Sequence, residues 1–260
     1  PLVDEIRRHL PAGDCLIEPF VGAGSVFLNT DYDAYILADI NSDLINLYNI
    51  VKLRTDDFVR DARTLFADEF NNSDQFYLLR EEFNTSTEPY RRALLFLYLN
   101  RHCYNGLCRY NLRGEFNVPF GRYKKPYFPE EELYWFAEKS RNATFVCEHY
   151  RDTMAKAAAG AVVYCDPPYA PLSATANFTA YHTNSFSIAD QQSLAHLALG
   201  REPGAGIDFQ SRYRADARLV PACCAVCGES APHDQPQYSR PQQSERAFGA
   251  VSLSRGHPGA

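Results

Sequence analysis

The sequence predicts a doubly wound α/β fold, a mostly parallel sheet with a helical segment inserted into it. Three observations predict this. Short apolar runs at 15–20, 35–40, 144–147 and 161–166 alternate with stretches of helical apolar spacing, as in βαβ chains. Between 55 and 140 the helical spacing continues with no strand-like run, so this part reads as an insertion. The strand-like runs end in glycine, aspartate or proline, which puts polar chemistry at the carboxyl edge of the sheet, where open α/β folds bind ligands.

The elements follow in order. Cys15-Leu16-Ile17-Glu18-Pro19-Phe20 reads as the first strand, and Gly22-Ala23-Gly24 turns it into a helix with Ser25 near the cap. Tyr35-Ile36-Leu37-Ala38-Asp39-Ile40 reads as the second strand, followed by a helix capped by Ser42 and running to about Lys52. Helical spacing marks 55–67, 73–83 and 88–103. Residues 104–128 have loop character, with glycines at 106, 114 and 121, prolines at 119 and 126, and many aromatics. A helix near 130–140 precedes the strand Thr144-Phe145-Val146-Cys147. The run Ala161-Val162-Val163-Tyr164-Cys165 reads as a buried parallel strand, then comes a polar loop to about Asn184 and a helix from Ile188 to Leu199. The expected organisation is a catalytic part from 1–54 and 141–200, an inserted part from 55–140, and a tail from 201–260. That tail is rich in Pro, Gly, Gln, Arg and Ser and reads as disordered.

The 260 residues carry a net charge of −6, which excludes a chain that is basic all over. From Arg101 to Lys125, however, six cations (Arg101, Arg109, Arg113, Arg122, Lys124, Lys125) stand against one anion, Glu115, a local excess of five. No run is long enough to cross a bilayer and the start has no signal-peptide pattern, so the expected place is the cytoplasm. The eight cysteines are scattered and read as core residues of a reducing compartment. Cys224 and Cys227 match half a zinc knuckle with only His233 as a further candidate, so no metal is expected.

Three constellations carry chemistry. The turn Asp166-Pro167-Pro168-Tyr169 ends a strand. Its carboxylate and the Pro167 carbonyl can accept both protons of an exocyclic amine, the prolines stiffen the turn, and Tyr169 offers a stacking face. The glycines of Phe20-Val21-Gly22-Ala23-Gly24 let a backbone approach a ligand. Asp39, at the end of the second strand, can accept from both hydroxyls of a ribose, although a carboxylate there can also be solvated or cap the next helix. In this order the three fit an adenosine-containing cofactor, S-adenosylmethionine. The 101–125 segment alternates cations with Tyr104, Tyr110, Phe116, Phe120 and Tyr123, a pattern that suits guanine edges, phosphates and an opened base stack.

The segments Ile17–Phe27, Leu37–Asp43, Tyr104–Asn111 and Tyr164–Leu172 resemble the Dam family of DNA adenine methyltransferases, and the similarity runs from Pro1 to about Ala198. The resemblance implies a Rossmann-like S-adenosylmethionine-dependent methyltransferase sheet with an inserted helical DNA-recognition domain. It implies methyl transfer to adenine N6 in double-stranded DNA containing GATC, by base flipping, in a nucleoid-associated monomer. It implies roles as well. Asp39 holds the cofactor ribose, with Phe20, Gly22 and Gly24 lining the pocket. Asp166, Pro167, Pro168 and Tyr169 hold the target adenine, and Asp166 also borders the cofactor. Arg109 reads guanine, and Leu107 and Pro119 touch thymine methyls. Tyr104 intercalates and Asn105 meets the orphaned base. Tyr123 and Lys124 lie on the backbone.

The chain departs from the family twice. It starts after the family's Phe-Leu-Lys-Trp-Ala-Gly-Gly-Lys segment and so reads as N-terminally incomplete. Where the family has a strand with Leu-Ile-Ser-Asn-His-Asp-Thr, this chain reads Ile207-Asp208-Phe209-Gln210-Ser211-Arg212-Tyr213-Arg214. Back-translated with permissive codons and shifted by one nucleotide, those residues can give the family's strand. The residues after them, 228–237 and 246–251 give further family-like stretches in the same shifted frame. The expectation is a one-base insertion or deletion near codon 199, and a chain that folds and turns over poorly as written. Two other readings stand beside the enzyme: a catalytically dead DNA-binding remnant, and an amino-methyltransferase acting on protein or RNA.

Overall fold

The computed structural model describes residues 2–168 and 186–199. Four parallel strands form the sheet: β1 (Cys15–Glu18), β2 (Ala34–Asp39), β3 (Ala143–Cys147) and β4 (Ala161–Val163). Their order is β3-β2-β1-β4, so the chain steps outward on one side of β1 and then crosses to the other. β1 pairs with both β2 and β4, with Cys15 opposite Ala34 on one side and Ala161 on the other. The reversal beside β1 opens a crevice at the carboxyl ends of β1 and β4, the topological switch point of such sheets. Leu16 and Ile17 are fully buried, which explains their continuous apolar pattern.

Eight α-helices are described: α1 (Leu2–His9), α2 (Ser42–Leu53), α3 (Thr55–Thr64), α4 (Ser73–Thr85), α5 (Pro89–His102), α6 (Glu130–Lys139), α7 (Tyr150–Ala155) and α8 (Ile188–Leu199). None is long and apolar enough to cross a membrane. α5 shows why the helices start where they do. Pro89 occupies its first position, where a missing N–H costs nothing, and the Glu88 carboxylate accepts from the amides of Tyr90 and Arg91. Residues Ala93 to Asn100 of α5 are all buried, so it is a core helix packed between α2 and α4. One continuous apolar cluster runs from Leu16 and Val162 in the sheet through Leu47, Leu95 and Phe83. Near the sheet it includes an aromatic group in which Phe27 meets Tyr35 at 4.9 Å and Tyr48 meets Phe136 at 4.9 Å.

Several sequence expectations need correction. The glycine turn does not lead into an α-helix. Gly22 and Gly24 take positive φ, the Gly24 amide folds back onto the Val21 carbonyl, and only a 3-10 turn at Phe27–Asn29 follows. The cap of α2 is Asn41, not Ser42: its side-chain oxygen accepts from the amides of Asp43 and Leu44. β1 and β4 are shorter than their apolar runs, and Pro19, which has no N–H to give a ladder, lies just past Glu18. α7, between β3 and β4, is not signalled by the sequence pattern. The loop to Asn184, the tail from 201, the half zinc motif and Tyr169 lie outside the described residues. Among the described residues the cysteines are free.

The 104–128 loop is held by backbone pairing, not by a sheet. Cys103 bridges Phe120, Tyr110 bridges Phe116, and the Tyr104 and Gly121 amides donate to the carbonyls of Pro119 and His102. Gly121 is required by space: a Cβ there would sit 2.6 Å from the Cys103 carbonyl oxygen and 2.5 Å from the Tyr123 ring. We therefore predict that Gly121→Ala lowers stability by roughly 1–3 kcal/mol. An unchanged urea midpoint would contradict it.

Candidate active site and nucleic-acid interface

The carboxyl edge of the sheet gathers three carboxylates. Asp39 ends β2 and is fixed by two amides, Gly22 N–H to Oδ2 at 3.1 Å and Asn41 N–H to Oδ1 at 2.9 Å. Burial raises its pKa, and the amides of Asn41, Gly22 and Ile40 pull it back. The glycine turn is anchored from below, where the buried Tyr48 hydroxyl donates to the Gly22 carbonyl at 2.6 Å. A Cβ at Gly22 would meet nothing within 4 Å, so this turn borders open space. Phe20 stacks on Tyr150 of α7 at 5.5 Å and meets Phe186 edge-on at 5.7 Å.

Asp166 follows β4 in the turn 164–168, which the Tyr164 amide pins to the Ile17 carbonyl of β1 at 2.9 Å. Asp166 and Pro168 are exposed and Pro167 is half-buried. Across the crevice stands Glu18, at the end of β1. It is 2% exposed, and its Oε1 is buried without a hydrogen-bond partner. Burial pushes its pKa up to about 8; the Phe27 amide opposes this and the Asp166 charge adds to it.

The cation-rich loop forms a second surface. Tyr104 is 54% exposed at the start of the loop, just after α5. Asn105 takes a positive φ of 52°, a conformation Asn tolerates, and its amide donates to the Tyr123 hydroxyl at 2.9 Å. The carbonyls of Tyr123 and Lys124 accept from the Asn71 side chain. Tyr104, Asn105, Pro119, Tyr123 and Lys124 therefore share one side of the loop. Beside them an open cavity of about 480 Å³ is lined by Arg101, Asn105, Tyr123 and Lys125 among others. Arg109 lies on the outgoing segment, with its Nε donating to Oδ1 of Asn117 on the returning one at 2.7 Å and the Asn117 amide donating to its carbonyl. Leu107 is half-buried. Arg113 is not a free cation, because it pairs with Glu115 at 3.0 Å.

The sequence profile of the D12 class N6 adenine-specific DNA methyltransferases matches residues 1–217. The chain belongs to this class. It is similar to the DNA adenine methylase of Salmonella typhimurium strain LT2, 73% identical over 198 residues that make up 76% of this chain and 71% of that one. It is similar to the DNA adenine methylase of Escherichia coli K12, 72% identical over 200 residues, 77% and 72% of the two chains. The DNA adenine methylase of Vibrio cholerae O395 is 56% identical over 197 residues.

Membership makes this an adenine-specific DNA methyltransferase, and the class implies use of S-adenosylmethionine. The residues present fit that group. The methyltransferase offers a buried, orphaned carboxylate oxygen on Glu18 for a cation, a carboxylate on Asp39 with spare acceptor capacity, and open space above Gly22. No cluster of His, Cys, Asp and Glu able to hold a metal occurs among the described residues. The sequence reading missed Glu18 and Tyr48 as site residues. The one signal for Glu18 was its place, a carboxylate ending a wholly buried strand.

Proposed function

We propose that this methyltransferase modifies adenine N6 within GATC in double-stranded DNA, acting as a cytoplasmic, nucleoid-associated monomer on a base turned out of the helix. The observation that carries the reading is the shared edge. Glu18 and Asp39 end β1 and β2, Asp166 follows the adjacent β4 at the switch point, and the aromatic, cationic loop from Tyr104 to Lys124 is tied to the same edge through an Asn41–Cys108 hydrogen bond. In the reading, residues 55–140 form the target-recognition part, and 1–54 with 141–200 the catalytic part.

Each group has a task. The Asp39 carboxylate accepts from ribose hydroxyls while its amide contacts keep it aimed. Phe20, Gly22 and Gly24 line the pocket. Glu18 balances positive charge. When bound, S-adenosylmethionine supplies a methyl group activated by its sulfonium. Asp166 and the Pro167 carbonyl accept the two N6 protons of the extruded adenine, which draws the amine toward tetrahedral geometry and localises its lone pair. Pro168 stiffens the turn and Tyr169 stacks on the base. No covalent intermediate is formed, so catalysis rests mainly on positioning. Tyr104 fills the opened stack and Asn105, held by Tyr123, meets the orphaned partner. Leu107 and Pro119 contact thymine methyls, Arg109 reads guanine, and Tyr123 and Lys124 lie along the backbone.

Arg109→Ala should then lose roughly 1–3 kcal/mol of discrimination at the guanine, measured as the ratio of methylation rates on GATC and on a duplex altered at that base. An unchanged ratio removes Arg109 from base reading. Lowered turnover of the 260-residue chain is proposed as well, from the out-of-frame pattern after residue 199. The test compares it with a chain whose codons after 199 are shifted by one base. Equal rates would discard the impairment and leave the chemistry standing.

A further inference from the structure

Arg109 is exposed, but its two neighbours turn inward toward the cofactor edge. Asn41 lies two residues beyond Asp39. Its amide donates to Asp39, its side-chain oxygen caps α2, and its Nδ2 donates to Cys108 Sγ at 3.4 Å. Asp43, in the first turn of α2, accepts the Tyr110 hydroxyl on Oδ2 at 2.8 Å. Its Oδ1 is gripped by Arg92 of α5 through two N–H groups at 2.7 and 3.0 Å. Arg92 is itself tied to the carbonyls of Phe83 and Ser86, so Asp43 is a fixed post. Residues 108 and 110 are thus held from below while Asn117 holds 109 from the side.

We propose that Cys108 and Tyr110 are positioning residues that clamp the Arg109 backbone to the Asp39–Asp43 segment, and that the clamp couples cofactor occupancy to base discrimination. The inference rests on the reading of Arg109 as a guanine reader. The path is short and polar: from the Asp39 carboxylate to Asn41, and from Asn41 to both flanks of the Arg109 backbone, through the Cys108 thiol on one side and through the Asp43 amide, the Asp43 carboxylate and the Tyr110 hydroxyl on the other. A ligand that fixes Asp39 fixes Asn41, and through it the segment that presents Arg109. By linkage the effect is reciprocal, so DNA carrying the right base tightens cofactor binding by the same factor. A purely structural role for these side chains would move stability but not that factor.

The experiment measures binding of the full 260-residue chain to two duplexes, one with GATC and one with 7-deazaguanine in place of its guanine. Each is titrated with and without sinefungin, a non-reactive cofactor analogue. In the parent chain sinefungin should favour the GATC duplex over the deaza duplex by about tenfold. In Tyr110→Phe, and more so in Cys108→Ala/Tyr110→Phe, that preference should fall toward one, while sinefungin affinity without DNA is unchanged. Tyr110→Phe removes one hydroxyl and leaves Asp43 held by Arg92, so it keeps the test readable if the double variant unfolds. A full preference in Tyr110→Phe would overturn the clamp, as would its absence from the parent. Arg109→Ala separates the two ideas. If it retains the preference, the base-reading assignment is wrong. If it loses the preference while Tyr110→Phe keeps it, only the clamp fails.

Discussion

Asp166→Ala is expected to lower methyl transfer to DNA by about 10³-fold, the scale seen when one preorganised polar partner of a reacting group is removed. Asp166 stands exposed on a turn that the Tyr164 amide pins to β1, at the carboxyl edge beside Glu18. The Pro167 carbonyl alone can accept only one of the two N6 protons at a time, and the lone pair stays spread into the ring. Asp166→Asn keeps an acceptor oxygen but loses the charge, and should fall between the parent and alanine. DNA affinity should change little in both, because the cationic loop is untouched. Single-turnover rates on a GATC duplex, read beside binding by fluorescence anisotropy, check this. Parent-like turnover in Asp166→Ala would remove Asp166 from the chemistry. Where turnover of the chain as written is too slow to read, the chain with the shifted frame after residue 199 serves.

The second large effect belongs to Glu18. Its folded pKa, about 8, lies above the ordinary glutamate value near 4.3. The folded protein therefore keeps a proton that the unfolded chain gives up, and stability falls as pH rises between about 4.3 and 8. A cation in the crevice favours the ionised carboxylate. Cofactor binding should then release a proton, and affinity should climb with pH up to about 8. Glu18→Gln removes the charge and keeps the shape. It should weaken binding of S-adenosylmethionine by roughly 2 kcal/mol or more, about 30-fold. It should also flatten the stability profile between pH 5 and 8, with the free protein less sensitive to rising pH. Calorimetric titration in buffers of differing ionisation enthalpy reads the proton directly. Proton release that persists in Glu18→Gln would assign it to another group.

Much of the edge was legible because each piece is local. Buried parallel strands announce themselves as apolar runs, and Asp39 and Asp166 stand where such runs stop. The helices from α2 to α6 were legible from apolar spacing, and their ends moved by a few residues because caps such as Asn41 compete with neighbours that are equally good on paper. What sequence could not supply was burial of polar groups. Glu18 looks like an ordinary glutamate until β2 and β4 close on both sides of β1. Asp43 looks like a first-turn acid favoured by the helix dipole, yet it spends both oxygens on Arg92 and Tyr110, 49 and 67 residues away. α7 carries only six residues, too short for a periodic pattern to show.

The most direct measurement of the central claim is the identity and position of the product. Duplex DNA bearing a single GATC is incubated with the purified chain, in both reading frames after residue 199, and with S-adenosylmethionine carrying a labelled methyl group. The nucleosides are then resolved by mass spectrometry and the label is mapped. N6-methyladenine is expected as the sole labelled nucleoside, at the GATC adenine, at least in the frame-shifted chain. Label on cytosine, on adenines outside GATC, or on neither chain's DNA would contradict it.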